Sequence, residues 1–418
     1  MITSKDKKLV VALELGTTKV TTLVGEIIDN GEIKVIGIGT CSSKGMDKGR
    51  INNLDAVVKC IKKSINQAEI TSNCQINSVY LSLSSKYINC QNEIGIVPID
   101  EDEVTKKDIE NVIHTAKSVQ ILNEHHILHV IPQEYSIDQQ SGIKNPIGLS
   151  GMRMQVKVHI ITCHHSIAKN MVKAVEKCGL KVDQVIFSGL ASSKAVLTED
   201  EKKLGVCMID IGGGTMDFTI YINGSIQDSQ VIPYAGNTVT SDIAYAFSAS
   251  NSHAETIKIQ YGSAKKSSNS ASKNIDFYNL NGHLEKNVKQ DSLIEVIESR
   301  YIELLSLVNQ RIIHIQKKLY KNREIYQLSG GIVLTGGASN IELLSECAEK
   351  IFYKPVRIAD PLNVSGLTEQ IKEPSYSTTI GLLQYGKESY FHMKDTYKKY
   401  SFIESWIQKI NNWFKKEF

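Results

Sequence analysis

Two short turns rich in glycine and threonine follow strand-like apolar runs, each with an acidic residue close before it. The residues are Glu14 with Gly16, Thr17, Thr18 and Lys19, and Asp210 with Gly212, Gly213, Gly214 and Thr215. Glycine lets the backbone approach a phosphate, whose oxygens then accept hydrogen bonds from its N–H groups. A carboxylate at the strand end is placed to hold Mg²⁺ through water. Either turn alone, and the first especially, is also readable as a plain β-turn, but the pair predicts a clamp for a triphosphate.

A third glycine-rich turn ends the strand-like run at 330–337. It contains Gly336, Gly337 and Ala338, and Asn340 is placed to cap the helix that we expect next. Glycines at this turn would let a flat adenine ring lie against the backbone. The three turns together therefore predict a complete nucleotide site rather than a phosphate site alone.

The elements that must position these turns occur twice along the chain. Each half begins with three strand-like runs joined by turns, and the two sets are separated by about 195 residues. The runs are 9–15, 20–28 and 32–39 in the first half, and 204–210, 216–222 and 225–232 in the second. Helical spacing follows, for example over 54–68 and 293–318. This repetition predicts an α/β protein with two similar domains facing each other.

Composition excludes several classes of protein. The chain has 418 residues, 41% of them hydrophobic, and a formal net charge of +3. That charge argues against a surface that binds nucleic acid throughout. No apolar run reaches the ~18 residues needed to span a bilayer. The start of the chain predicts no signal peptide, and eight scattered cysteines are typical of a reduced cytosolic protein.

The last eighteen residues have the pattern of a helix that lies in a membrane interface. On a helical wheel of about 100° per residue, eight large apolar side chains occupy less than half the circle. Seven of them are assigned to membrane contact: Phe402, Ile403, Trp406, Ile407, Ile410, Trp413 and Phe414. Three lysines on or beside the polar face are expected to meet anionic lipid: Lys409, Lys415 and Lys416. The alternative is a helix docked on the protein's own core, against which stand its terminal position and its possession of both tryptophans.

The net charge is concentrated in this end of the chain. Residues 394–418 contain six lysines and three acidic residues, a local +3, so residues 1–393 sum to zero. The sequence therefore predicts a neutral body that carries a basic, tryptophan-bearing segment.

The motifs, in this order and spacing, resemble the actin-like ATPase superfamily and, within it, the FtsA family of bacterial cell-division proteins. The resemblance runs over essentially the whole chain. Its most family-like stretches are 205–217, 231–244, 330–340, 376–386 and the amphipathic C-terminus.

The resemblance implies an actin-like fold, with ATP and Mg²⁺ in the cleft between two similar halves. Beyond the turns already named, it implies that Gly236 and Asn237 approach the nucleotide. Glu255 and Lys258 would contact ribose and adenine. Glu14 departs from the aspartate found in many superfamily members, and no catalytic base is identifiable, so we expect at most slow ATP hydrolysis.

The resemblance also implies a domain plan. The first domain comprises 1–83 and 163–197, interrupted by an inserted subdomain at 84–162. The second comprises 198–225 and 302–385, with a smaller subdomain at 226–301. A linker at 386–400 leads to the membrane-targeting helix at 401–418.

The function implied is that of a membrane tether for cell division. Such a protein polymerises on the cytoplasmic face of the inner membrane at the division septum. It anchors filaments of the tubulin-like protein FtsZ and recruits later division proteins. Arg300 is expected to contact the C-terminal peptide of FtsZ, although a plain surface salt bridge is the alternative. A small-molecule kinase of the same superfamily is the other functional hypothesis, and it would require an acceptor pocket and an aspartate base.

Overall fold

A computed structural model describes residues 8–28, 31–118, 121–266, 273–278, 284–321 and 327–391. The predicted membrane-targeting helix at 401–418, most of the predicted linker and residues 267–272 lie outside this part of the chain. None of the helices within it is long and apolar enough to cross a membrane.

The first half is built on a six-stranded sheet. Its order is β11-β6-β1-β2-β3-β19, in which β1, β2 and β3 are antiparallel and the other pairings are parallel. The strands are β1 (Leu9–Leu15), β2 (Lys19–Ile27), β3 (Ile33–Ser42), β6 (Ser78–Leu83), β11 (Lys181–Phe187) and β19 (Val364–Gly366). The helices of this half are α1 (Leu54–Ser72), α3 (His165–Glu176) and α4 (Ser188–Val196). A small hairpin, β4 (Met46–Asp47) and β5 (Arg50–Ile51), lies between β3 and α1.

The second half repeats this plan in a five-stranded sheet. Its order is β14-β13-β12-β17-β18, again an antiparallel meander beside parallel strands. The strands are β12 (Val206–Ile211), β13 (Met216–Ile222), β14 (Ser225–Ile232), β17 (Ile332–Thr335) and β18 (Val356–Ile358). The helices are α5 (Glu199–Leu204), which packs against β13, α6 (Gly236–Phe247), α7 (Asn251–Tyr261), α8 (Gln290–Lys321), α9 (Leu344–Phe352) and α10 (Thr368–Ile371). A hairpin of β15 (Asn274–Tyr278) and β16 (Leu284–Lys289) lies between α7 and α8. The predicted repeat is thus present as two matching sheets.

Between β6 and α3 the chain forms a separate layer. Its antiparallel sheet has the order β7-β10-β8-β9 and is covered by α2 (Lys106–Lys117). The strands are β7 (Ile88–Pro98), β8 (His125–Ile137), β9 (Gln140–Ile143) and β10 (Arg153–His164). α2 begins at a capping box in which Thr105 and Asp108 bond each other's backbone N–H groups, so the acidic run before Thr105 is outside the helix.

The predicted end of the second domain at 385 and the predicted linker start at 386 both differ from the structure. Residues 377–391 form one helix, and it packs on the first half. A Cβ on Gly386 would meet Val10 Cγ1 at 2.2 Å, so the glycine marks close packing rather than a flexible segment. β19 likewise extends the first sheet, beside β3. The chain therefore returns to the first half before residue 391.

The prediction that Asn340 caps a helix is wrong. Residues Gly337–Asn340 form a 3₁₀ turn, and α9 begins at Leu344 after Leu343, which has a left-handed backbone with φ 57°. The glycine turn is therefore followed by a tighter connection than helix-start signals indicate.

Candidate functional site

The two predicted phosphate turns adopt the same backbone geometry. Gly16 N–H donates to the Lys19 carbonyl at 3.1 Å, and Gly212 N–H donates to the Thr215 carbonyl at 3.0 Å. Each turn therefore closes an antiparallel hairpin, β1–β2 in the first half and β12–β13 in the second. The hairpin geometry leaves intervening backbone N–H groups free to face the cleft.

These two turns meet across the cleft. A Cβ on Gly213 would lie 1.9 Å from Thr18 Oγ1, and one on Gly214 would lie 2.4 Å from Thr17 Oγ1. Real Cβ atoms do not approach so closely, so only glycine permits this contact. The opposing threonines thereby explain the second and third of the three consecutive glycines.

The start of α6 supports the second turn from behind. Gly236 N–H donates to the Gly212 carbonyl at 3.1 Å, and Asn237 N–H donates to the Gly213 carbonyl at 2.7 Å. These bonds fix the turn to the beginning of a helix, whose partial positive charge favours anions nearby. Gly236 and Asn237 therefore position the second turn, as well as lining the cleft themselves.

One cavity of about 350 Å³ connects all these elements, a size within the usual ~300–1,000 Å³ range of small-molecule sites. All predicted nucleotide and metal residues line it. They are Glu14, Gly16, Thr17, Thr18, Lys19, Asp210, Gly212, Gly213, Gly214, Thr215, Gly236, Asn237, Glu255, Lys258, Gly336, Gly337 and Ala338. Residues up to 324 positions apart, Glu14 and Ala338, are thus brought together, which no local feature of the sequence enforces.

Glu255 and Lys258 form an ion pair inside this cavity. Lys258 Nζ lies 2.7 Å from Glu255 Oε2, and Lys258 also donates to the Gly236 carbonyl and to Thr240 Oγ1. Thr240 in turn donates to Glu255. The pair is therefore held rigidly against the first turn of α6, with its charges largely matched.

Lys19 lies at the first turn, but its side chain contacts the opposite wall. Its ammonium is 3.9 Å from the centroid of the Tyr376 ring and donates to Ser375 Oγ at 3.2 Å. Burial lowers the pKa of Lys19, while Glu14 and Glu373 act in the opposite direction. Lys19 therefore bridges the floor of the cleft.

Three carboxylates, Glu14, Asp210 and Asp217, line the cavity beside the two glycine turns, and sequence reasoning identified only the first two as site residues. Asp210 and Asp217 are directly opposite in the β12–β13 pairing, so their side chains share one face of the sheet. Asp217 accepts a hydrogen bond from Ser84 Oγ at 2.6 Å, and Ser84 comes from the end of β6. The cross-strand register to Asp210 is the signal that would have identified Asp217. Ser84 had no such signal, because it is 133 positions away.

Burial of these carboxylates favours their protonated forms. It raises the pKa of Glu14 to about 7, with Asp210 adding to the shift and Lys19 opposing it. Burial also raises the pKa of Asp210, against hydrogen bonds from Ser192 and Thr378. The pKa of Asp217 is raised well above its usual range by burial and by Asp210. The cleft thus holds carboxyl groups with too little positive charge nearby to balance their ionised forms.

This shift predicts how pH changes the stability of the nucleotide-free protein. Glu14 ionises near pH 4.5 when unfolded and near 7 when folded, so stability should fall as pH rises through that interval. Glu14→Gln removes the free-energy cost of ionising a buried carboxyl group in the folded protein, which is on the order of 3 kcal/mol at most. We expect the variant to gain stability over wild type progressively between pH 5 and 8 in denaturant titrations. Glu110→Gln, at an exposed position, is the control. Parallel curves of stability against pH for all three proteins would contradict a raised pKa for Glu14.

Arg300, the predicted partner contact, lies on α8 in a groove between α6 and α8. Its guanidinium bonds both carboxylate oxygens of Asp242, and it also pairs with Glu303. The groove is lined by Asp242, Ala246, Phe247, Ser292, Glu295, Val296, Ser299, Arg300 and Glu303. The salt-bridge alternative is therefore present in the structure, and Arg300 shapes the groove instead of offering an unmatched charge.

Comparison with known proteins places this geometry in a family. The sequence model described as Cell division protein FtsA matches residues 207–381, and that of the SHS2 domain inserted in FtsA matches 85–162. The chain is 74% identical over 418 residues to the FtsA of Buchnera aphidicola subsp. Schizaphis graminum, with 100% of both chains covered. It is 56% identical over 420 residues to that of Escherichia coli strain K12, also with 100% of both covered.

Solved structures show the same fold at low identity. MreB5 of Spiroplasma citri, bound to ADP, superposes with a TM-score of 0.51 at 16% identity, covering 94% of this chain and 98% of its own. A PilM–PilN complex of type IV pilus biogenesis superposes with a TM-score of 0.63 at 14% identity, covering 90% and 98%. The fold is actin-like, and the full-length identities show that this chain belongs to the FtsA family of cell-division proteins.

Proposed function

We propose that the cleft binds ATP and that the chain acts as an ATP-dependent membrane tether in cell division. The observation that carries the nucleotide assignment is the meeting of two glycine turns, from two halves of the molecule, over one cavity. An actin-like relative, MreB5, has ADP in its solved structure, which supports the same class of ligand here.

Each wall of the cavity supplies a different part of the recognition. Backbone N–H groups of the two glycine turns would donate to phosphate oxygens, and the threonine hydroxyls would add further donors. The ion pair of Glu255 and Lys258 would face the ribose. Gly336 has φ 88°, and a Cβ there would meet Asp210 Oδ1 at 2.2 Å, so glycine is required where this turn packs against β12. The next residue, Gly337, is exposed in the cavity and would lie against a flat base.

The residues present also fit a magnesium ion. One oxygen of Glu14 is buried and has no hydrogen-bond partner. Glu14 and Asp210 would hold the ion through water, with Asp217 close to both. Bound Mg²⁺ neutralises phosphate charge, and it would favour the ionised forms of these carboxylates.

The hydrogen bonds of the carboxylates support slow hydrolysis at most. Asp210 accepts hydrogen bonds from Ser192 and Thr378, and Asp217 accepts one from Ser84. Each of these acids is therefore engaged with a fixed hydroxyl, rather than free to orient an attacking water. Nucleotide would then act mainly as a ligand that fixes the arrangement of the two halves.

Isothermal titration of the full chain tests the nucleotide assignment. We expect MgATP to bind with a stoichiometry of one and to raise the melting temperature. We also expect MgGTP to bind more weakly, because the base lies against a fixed backbone turn. Failure of MgATP to bind or to shift melting would refute the proposal.

The tethering role rests on two further parts of the chain. The segment 401–418 would bind anionic lipid on the cytoplasmic face of the inner membrane at the division septum. The groove that contains Arg300 would bind the C-terminal peptide of FtsZ. Its wall combines the apolar Phe247 and Val296 with Glu295, while Glu303 is paired with Arg300, so it suits a peptide with apolar side chains and a basic residue. Self-assembly into filaments and recruitment of later division proteins through the inserted subdomain complete the proposal.

A further inference from the structure

A lysine at the outer end of the cleft has no role in the site as described so far. Lys48 is at the tip of the β4–β5 hairpin, in a two-residue turn with Gly49. Both residues have positive φ, 46° for Lys48 and 72° for Gly49. That is the type I′ turn, in which asparagine is strongly preferred at the first position and lysine is not. The turn alone therefore does not explain the lysine.

The hairpin is firmly anchored to the phosphate-binding elements. Ser43 N–H donates to the Thr18 carbonyl at 2.9 Å, which attaches the segment before the hairpin to the first turn. A Cβ on Gly49 would lie 1.9 Å from the carbonyl oxygen of Ser84, so the tip is pressed against the end of β6. Lys48 is thus held at a fixed place beside the cleft.

A second cavity, of about 620 Å³, lies in front of the two glycine turns and is lined by Lys48. Thr17, Thr18, Gly213 and Gly214 line both this cavity and the one described above. The base-side residues Gly336 and Ala338 line only the first. Asn237 and Glu255 also line both cavities, so Lys48 faces a space that adjoins the phosphate turns but does not include Gly336 or Ala338.

Asp47 and Glu255 line the same cavity as Lys48, but neither forms an ion pair with it. Its ammonium lies 4.8 Å from the centroid of the half-exposed ring of Tyr234, just before α6. No carboxylate is within ion-pair distance of it in the described ranges. Lys258, by contrast, is paired with Glu255, and Lys19 rests on Tyr376. An aromatic face holds a cation weakly enough to release it to an anionic ligand.

We infer that Lys48 binds the terminal phosphate of the nucleotide and makes the site prefer a triphosphate to a diphosphate. This inference rests on the proposed nucleotide function. A charge-assisted hydrogen bond from Lys48 to the last phosphate would form with ATP and not with ADP. Tyr234 holds the side chain at the mouth of the cleft until the ligand arrives.

Lys48→Asn separates this role from a structural one, because asparagine suits the turn better and removes the charge. We expect the Kd for MgATP to rise about tenfold or more, and that for MgADP to rise less than about threefold. The nucleotide-free melting temperature should stay level or increase. Lys48→Arg should keep the ATP-to-ADP ratio of wild type, and the exposed neighbour Lys44→Asn should change neither affinity.

The outcomes distinguish this inference from the proposed function. If wild type binds MgATP but Lys48→Asn changes the affinities for MgATP and MgADP equally, or changes neither, the role of Lys48 is overturned and the proposed function is not. Wild type that binds neither nucleotide overturns the proposed function and the role of Lys48 with it.

Discussion

Removing residues 401–418 is expected to abolish binding to anionic vesicles, with a loss of at least about 100-fold in partitioning. Both tryptophans and three lysines are lost together, and with them both the apolar insertion and the attraction to lipid charge. The cleft residues precede residue 391, so MgATP affinity should not change. Vesicle flotation and isothermal titration of the same truncated protein measure the two effects.

A pair of point variants tests the helical geometry more sharply than truncation. Trp406→Lys would place a charge on the apolar face of the predicted helix and should weaken flotation at least about tenfold, because burial of a large side chain is lost. Asn411→Lys adds the same charge on the polar face and should leave binding equal or slightly stronger. Equal losses in both variants would contradict an interfacial helix, as would retained binding of the truncated chain.

Gly213→Ala is expected to abolish most nucleotide affinity, by about 30-fold or more. The added methyl would meet Thr18 Oγ1 at 1.9 Å, so the two phosphate turns must separate. Each half keeps its own hydrogen-bonded hairpin, so the nucleotide-free protein should still fold. Titration with MgATP tests the loss of affinity, and the melting temperature without nucleotide tests whether the variant still folds.

Gly142→Ala is the matched control for a glycine change. Gly142 has φ 77°, and a Cβ there has no heavy atom within 4 Å. The variant should lower stability through backbone strain and leave MgATP affinity as in wild type. If Gly213→Ala behaved in the same way, the contact between the two turns would have no part in binding.

The sequence was most informative where strand alternation and turn chemistry act locally. The strand-like runs 216–222 and 225–232 match β13 and β14, and the two-residue turn between them, Asn223–Gly224, fixes the register of the two strands. The same reasoning identified both glycine turns as a pair. What it did not supply was their direct contact, since Thr18 and Gly213 meet only through the packing of two separate halves.

Prediction was weaker where tertiary packing overrides local signals. A glycine in a polar stretch, such as Gly386, favours a linker, yet the helix of 377–391 continues through it. The glycine is explained by close packing, because a side chain there would collide with Val10 and Tyr80. Asparagine is a residue type that often caps helices, but Asn340 is the last residue of a 3₁₀ turn. Ser84 meets Asp217 across the cleft, and no spacing in the sequence indicates such a pair.

In the proposed function, this chain connects FtsZ to a membrane. Flotation of FtsZ with anionic vesicles in the presence of this chain and MgATP tests it most directly. We predict that FtsZ floats with the vesicles only when the full-length chain is present, and remains at the bottom with the 401–418 truncation. If FtsZ stays at the bottom while the full-length chain floats, the proposed tethering of FtsZ to the membrane is contradicted.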